Sequence, residues 1–326
     1  MTLIQLAKKC GVSVATVSKA FSGGNDISEK TRAKIFAQAK LDGCYDKYIN
    51  KSYPKKVIGI IVPEIMSEYY TGIFKALDET IIKNNAISVL MVSDFDDKKT
   101  QEYFDYSSFY RKTDGVIIVD SDTNLKNSEN IPAVLISNSQ LPRQQNTDRI
   151  IIDLESGINE AVKYLKTNGH KSIAFIGESK TKRKEILFKK ALENNGIYSN
   201  RNFFVETDKR FENGGYEAMK ALIESNHAPT AVIAGYDKMA IGAMKYLHEK
   251  GLSVPEDISI IGMDNISDSK YTSVPITTIG LNLDELSREA VDLILKKTDS
   301  RYFKSKHQIK IECKLQVRSS VKNLNM

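Results

Sequence analysis

The chain has 326 residues, with 47 Lys and Arg against 41 Asp and Glu for a formal net charge of +6, a length that suits two or three domains. Its three cysteines, Cys10, Cys44 and Cys313, are odd in number, far apart and without a C-x-x-C pair, which argues against a disulfide scaffold or a zinc site and for a reducing compartment. No apolar run approaches membrane-spanning length and the first residues read as a helix cap, not a signal peptide, so a cytoplasmic protein with no membrane partner is expected.

Residues 2–42 spell two short helices, a tight turn and a third helix. Thr2 and Gln5 have the spacing of a capping box, in which hydroxyl and amide satisfy each other's orphan backbone groups. Leu3, Leu6 and Ala7 then recur at helical spacing. Gly11 supplies the positive φ of the turn, Ser13 caps a helix over residues 14–21, and Gly23-Gly24 ends it. Ser28 opens a third helix with Ile35, Ala39 and Leu41 assigned to the inward side. This is the pattern of a helix-turn-helix whose second helix suits a DNA major groove. Charge agrees: residues 1–56 hold eleven Lys and Arg against four Asp and Glu, a net of +7, which leaves the other 270 residues at −1. A basic head on a nearly neutral body is the footprint of a polyanion-binding arm.

Beyond Pro54, short apolar runs alternate with amphipathic helices. Strands are expected at residues 57–62, 87–92, 115–119 and 133–136, with a helix at 69–84 whose Ile73, Leu77 and Ile81 point inward. A second series starts with a helix at 155–168. It continues through a strand at 172–177, a helix at 184–194, a strand near Phe203 and a helix at 214–225. A strand at 231–234, a helix at 237–250 and a strand at 259–263 complete it. Such alternation predicts an α/β body of doubly wound parallel sheets, and two series predict two lobes.

These residues resemble the LacI/GalR family of bacterial transcription regulators. The headpiece "IQLAKKCGVSVATVSKAFSGGNDISEKTRAKI", the first strand and helix "IGIIVPEIMSEYYTGIFKALDE", and then "TDGVIIV", "NGHKSIAFIGE", "PTAVIAGYDKMAIGAMKYLHEKGLSVPEDISIIGMDN" and "PITTI" follow in the family's order. The resemblance implies an all-α helix-turn-helix headpiece over residues 1–45 and a linker over 46–56. A periplasmic-binding-protein-like body follows over 57–326, with one lobe about 57–154 plus 283–310 and the other about 155–282 plus the C-terminal end. It implies a homodimer on a near-palindromic DNA operator, without cofactor or metal. Repression of carbohydrate-utilisation genes, controlled by a small effector between the lobes, is the expected function. Activation, or response to a purine or a sugar phosphate, is the alternative, and a periplasmic-type transport receptor is disfavoured by the basic head.

At the DNA, Val14, Ala15 and Lys19 are expected to face base edges, Lys19 donating to guanine and the other two making apolar contacts. The family usually has Arg at that last position, and Lys loses the bidentate fork. Thr2, Ser13, Thr16, Ser18, Ser28, Lys30 and Thr31 are placed for the phosphates. The linker departs from the family's N-P-x-x-x-A-x-x-L helix. Asn50 stands where the Ala belongs and Tyr53 where the minor-groove Leu belongs, so Tyr53 or Ile49 is the wedge if one exists.

At the effector, ligands in this architecture bind at the carboxyl ends of strands. Asp237 is matched to the family carboxylate that accepts from sugar hydroxyls or a ring nitrogen, with a helix cap as its other reading. Tyr69 and Tyr70, Asp94, Arg183 and Lys184, Arg210 and Phe211, and Asn265 complete the expected lining. Two family landmarks are missing: Ser137-Asn138 replaces a D-R pair, and Leu281 replaces a Gln. Fewer charges in the cleft would favour a neutral sugar. No G-x-S-x-G, H-E-x-x-H or phosphate-loop motif is present, and the four histidines are scattered, so no enzyme is expected.

Overall fold

A computed structural model describes residues 1–22, 26–49, 55–110, 113–120, 125–126, 131–138, 147–198, 200–225, 229–298 and 306–325. Two compact units result, Met1–Lys56 and Val57–Met326.

The first unit contains α1 (Leu3–Cys10), α2 (Val14–Phe21), α3 (Glu29–Leu41) and α4 (Tyr45–Ile49). Both halves of the capping box form: the Thr2 hydroxyl accepts from the Gln5 amide at 3.3 Å, and the Gln5 side chain accepts from the Thr2 amide at 2.8 Å. Gly11 closes α1 at φ +64°, the left-handed conformation that a residue with a Cβ avoids. Ser13 and Ser28 cap α2 and α3 through the amides of Thr16 and Thr31. Leu6, Val17, Ile35 and Ala39 are fully buried between the helices.

Leu41 departs from expectation, being 82% exposed. It lies two residues beyond Ala39 and so about 200° round the helix, on the solvent side. The helix α4 was also not foreseen. Tyr45 turns back onto Phe21 and Phe36 and Tyr48 onto Phe21, with ring centroids 5.3 to 6.0 Å apart, and the Tyr48 hydroxyl donates to the Met1 carbonyl at 2.6 Å. The packed headpiece thus extends past residue 45, the end assigned from sequence. Gly23-Gly24, Asn50 and Tyr53 fall outside the described residues.

In the second unit, β1 (Val57–Val62) leads to α5 (Glu68–Lys83), β2 (Ile87–Val92), α6 (Asp97–Phe109), β3 (Gly115–Val119), β4 (Ala133–Ser137) and β5 (Thr147–Asp153). Then come α7 (Leu154–Thr167), β6 (Ile173–Glu178), α8 (Lys182–Asn194), β7 (Phe204–Thr207), α9 (Phe211–Glu224), β8 (Ala231–Ala234) and α10 (Asp237–Glu249). The chain finishes with β9 (Ser259–Met263), β10 (Thr277–Gly280), α11 (Leu283–Lys297), β11 (Gln308–Glu312) and β12 (Lys314–Gln316).

Two six-stranded sheets result, in the orders β11-β5-β4-β3-β1-β2 and β12-β10-β9-β8-β6-β7. All pairings are parallel except β12 against β10. The chain passes between the lobes after β5, after β10 and between β11 and β12. The helix α11 returns to the first lobe, packing on α5, β3 and β4. In the second lobe α9 and α10 touch almost backbone to backbone: a Cβ on Gly215 would sit 1.9 Å from the Met239 carbonyl, and one on Gly242 1.9 Å from that of Glu212.

The strand β5 escaped the apolar-run criterion because Asp148 and Arg149 interrupt it. Both are buried, and the Asp148 carboxylate accepts from the His307 amide at 2.7 Å and lies 3.2 Å from the buried Lys297 ammonium. Paired charges let a strand run through a core that unpaired ones would not enter.

Candidate functional site

Nearly every strand of the two sheets ends at one cavity of about 280 Å³. The first lobe contributes Glu64 after β1, Phe95 after β2, Asp120 after β3, Asn138 after β4, and Tyr69 and Tyr70 from α5. The second contributes Glu178 at the end of β6, Lys184 on α8, Arg210 and Phe211 ahead of α9, Tyr236 after β8 and Asp264 after β9. Leu154, Leu281 and Cys313 lie where the chain crosses between lobes. Asp94, Phe95, Asp120, Phe211, Asp264 and Asn265 all hold positive φ in these loops. Such strain in non-glycine residues is tolerated where the surroundings over-determine the backbone, as around a ligand site.

The cavity is more charged than the missing landmarks suggested. Four carboxylates (Glu64, Asp120, Glu178, Asp264) and four cations (Lys180, Arg183, Lys184, Arg210) line it, which corrects the expectation of a cleft poor in charge. Most are paired. The Arg210 guanidinium donates to both Glu64 oxygens, at 2.7 and 2.8 Å, and so ties the lobes together across the cavity. The carboxylate of Glu64 beside it holds the guanidinium more firmly protonated than usual. Lys184 donates to the Gly235 carbonyl at 2.7 Å and to Asp264 at 3.1 Å. The Tyr70 hydroxyl donates to Asp120, and burial together with that carboxylate pushes the phenol far up. A second tie between the lobes runs from Lys238 on α10 to Glu68 on α5, at 3.0 Å.

Of the expected effector residues, Tyr69, Tyr70, Arg183, Lys184, Arg210 and Phe211 line this cavity. Three do not. Asp237 is fully buried outside it, accepting from the Thr278 hydroxyl at 2.5 Å and from the Ile266 amide at 2.9 Å, and burial pushes its carboxyl up to about 7. Its position one residue into α10 turns the side chain under the loop after β9. It is not the helix cap either, since Tyr236 holds that place. Asp94 points outward and pairs with Lys99. Asn265 is held away from the cavity by Arg318, whose guanidinium donates to its side-chain oxygen at 2.5 Å.

Sequence reasoning missed Glu64, Asp120, Glu178, Tyr236 and Asp264. The rule that ligands meet the carboxyl ends of parallel strands, applied to every strand, would have found them. Burial and chemistry also give His170 a structural place. Its ring bonds to Thr230 and to the Lys322 carbonyl, both at 3.0 Å, and burial lowers its basicity.

On the headpiece, the capped start of α2 exposes Ser13, Val14 and Ala15, and Lys19 stands exposed further along the same helix. Lys19 is ion-paired with Asp26, both side chains being more than half exposed. Thr16 and Thr31 share their hydroxyls with Ser13 and Ser28, each pair at 2.8 Å, so all four cluster at helix N-termini, where backbone amides attract anions. Thr2 and Lys30 are exposed, while Ser18 is half-buried. Tyr53 lies outside the described residues. Among those residues no helix is long and apolar enough to cross a membrane.

A helix-turn-helix unit and a two-lobed body with a cavity at its strand ends define a ligand-responsive transcription regulator. Residues 2–40 match the family described as bacterial regulatory proteins, lacI family, and residues 162–321 match the periplasmic binding protein-like domain. The chain is similar to the HTH-type transcriptional repressor PurR of Glaesserella parasuis, at 32% identity over 99% of each chain. It is likewise similar to the HTH-type transcriptional regulator DegA of Bacillus subtilis, at 30% over 99% of each. Among solved structures, a LacI family transcriptional regulator from Enterococcus faecium with bound ribose superposes with a TM-score of 0.70 at 26% identity, covering 82% of this chain and all of that one. The chain belongs to the lacI family of bacterial regulatory proteins and is a DNA-binding transcription regulator.

Proposed function

We propose that this protein is a cytoplasmic repressor, without catalytic activity, that binds a near-palindromic operator as a homodimer and responds to a sugar-like effector in the cavity between its lobes. The observation that carries the reading is the cavity itself. Aromatic faces from Tyr69, Tyr70, Phe95, Phe211 and Tyr236 alternate with hydrogen-bonding groups in a space of about 280 Å³. That is the low end of small-molecule sites and suits a monosaccharide-sized polyol. The relative named as a repressor and the ribose bound to the Enterococcus faecium regulator support the same reading.

Operator reading falls to Val14, Ala15 and Lys19, with Thr2, Ser13, Thr16, Ser18, Ser28, Lys30 and Thr31 at phosphates, and Tyr53 at the minor groove if a wedge forms. Effector contacts fall to Tyr69, Tyr70, Arg183, Lys184, Arg210 and Phe211, joined by Glu178 and Asp264. Pairing of two copies is supported by the exposed Val89 and Leu90 of β2 and by a groove against α10 lined by Ile241, Met244, Leu252 and Val274. Effector and operator affinities must be coupled equally in both directions. The test is a mobility-shift titration of the full chain on its own upstream DNA, with and without sugars. Salt-sensitive, sequence-selective binding altered by one sugar supports the reading, and binding that no sugar alters refutes the effector assignment.

A further inference from the structure

Among the described residues, the enclosed part of the cavity holds more acid than base: Glu64, Asp120, Glu178 and Asp264 line it with Lys184 and Arg210, while Lys180 and Arg183 stand exposed at the rim. Lys180 is also engaged, its ammonium 3.7 Å over the Phe95 ring. Each enclosed cation already holds one carboxylate, Arg210 through its two terminal nitrogens to Glu64 and Lys184 to Asp264.

Glu178 is the exception among the acids. It is 3% exposed, and one oxygen accepts from the Lys180 amide at 2.9 Å and the Ser179 hydroxyl at 3.1 Å. Among the described residues the other oxygen has no hydrogen-bond partner. The cation beside it is the Arg210 Nε at 3.6 Å, too long for a hydrogen bond, and that N–H is likewise unpaired. A buried carboxylate oxygen left without a donor is costly, and a ligand that supplies one recovers that cost. The side-chain oxygen of Asn138, on the opposite lobe, is likewise buried and without a partner. Both vacancies ask for donors.

We infer that the preferred effector is an amine-bearing sugar whose protonated nitrogen donates to Glu178. This rests on the sugar-like reading of the cavity and narrows it. An ammonium carries three donors and no acceptor, so it can supply the donor that the Glu178 oxygen lacks, and its charge offsets the excess of enclosed carboxylates. A phosphate or carboxylate at the same place would meet Glu178 with like charge and is rejected.

The experiment is calorimetric titration of the full chain, near neutral pH and at fixed salt, with three matched series built on glucose, galactose and mannose. Each series contains the 2-amino-2-deoxy sugar, the parent sugar and the 6-phosphate. The expected result is an amine preferred over its parent by about 10-fold or more in at least one series, the scale of a charge-assisted hydrogen bond. In Glu178→Gln, whose fold is checked by its melting temperature, the ratio of amine to parent affinity falls to under about threefold, a comparison in which any loss common to both sugars cancels. A parent sugar equal to or tighter than its amine in every series overturns the inference but leaves the sugar reading standing, a hydroxyl bridging Glu178 and Arg210 then being sufficient. Preference for a phosphate, or an amine preference that survives in Glu178→Gln, also overturns the inference. No binding by any sugar overturns the sugar reading and the inference with it.

Discussion

Asp237→Asn separates a buried structural carboxyl from a ligand-binding one. In the folded protein burial holds Asp237 at about 7 against an ordinary 3.8, despite the opposing hydrogen bonds from Thr278 and Ile266. A raised folded-state value means that this group's contribution to stability is complete below about pH 3.8 and is lost as pH rises through 7. Over that window the unfolded chain releases a proton that the folded one keeps, at about 1.4 kcal/mol per pH unit and so on the order of 4 kcal/mol in all. Asn does not titrate. Its oxygen can accept from the Ile266 amide while its amide donates to the Thr278 hydroxyl, so both contacts of the carboxyl are kept, the second in the opposite direction. Urea denaturation of both proteins across the pH range should therefore show the variant gaining on the wild type by roughly 3 kcal/mol between about pH 4.5 and 7.5. Profiles parallel to within about 0.5 kcal/mol over that range would refute the reasoning, because every other titrating group is shared. Effector affinity gives an independent check. A carboxyl outside the cavity predicts less than about a threefold change, and a loss above about 30-fold would return Asp237 to the ligand.

Asp26→Asn removes an acid and frees Lys19 from its exposed ion pair, so operator binding in a mobility-shift assay should tighten by about 3- to 10-fold at low salt. Unchanged or weaker binding would show that Lys19 does not face the DNA. Arg210→Met leaves Glu64 and Glu178 facing each other without their cation. Because the guanidinium is 31% exposed, the loss in urea denaturation should be roughly 2 kcal/mol, and part of it should return when Glu64→Gln is added. Gly242→Ala drives a methyl into the Glu212 carbonyl at the α9–α10 crossing and should cost about 3 kcal/mol or prevent folding, read by melting temperature against the wild type. Tyr48→Phe removes the hydroxyl that bonds the Met1 carbonyl, and hydrogen exchange at the Leu6 and Ile35 amides should speed by about 5-fold, a cost near 1 kcal/mol.

The fold was legible wherever one face of an element was consistently apolar. The strands β1, β3 and β8 are continuous runs of Val, Ile, Ala and Gly, buried or nearly so, and each was placed within a residue of its observed span. Three of the elements that escaped, α6, β5 and α4, break that pattern for identifiable reasons, whereas β10, α11, β11 and β12 also went unassigned. The helix α6 buries Thr100, Phe104, Ser107 and Ser108, three of them hydroxylic, so it shows almost no apolar stripe. The strand β5 conceals an ion pair. The helix α4 is only five residues long and is held by aromatic contacts to residues 24 or more positions earlier for Phe21 and nine for Phe36 at the nearest, which local periodicity does not register.

The candidate site divides along a different line. Two aspartates, Asp237 and Asp264, each follow a strand of the second lobe by one to three residues, and from sequence either qualifies as the cavity's acid. What separates them is the backbone. Asp264 takes φ 99° immediately after β9, which throws its carboxylate over the sheet end to meet Lys184. Asp237 has already entered α10, whose geometry carries its side chain back beneath that loop to brace the Ile266 amide and the Thr278 hydroxyl. The buried acid thus holds in place the loop that presents the cavity-facing one. A motif match identifies the neighbourhood of both, but only the turn geometry decides which carboxylate reaches a ligand and which supports it.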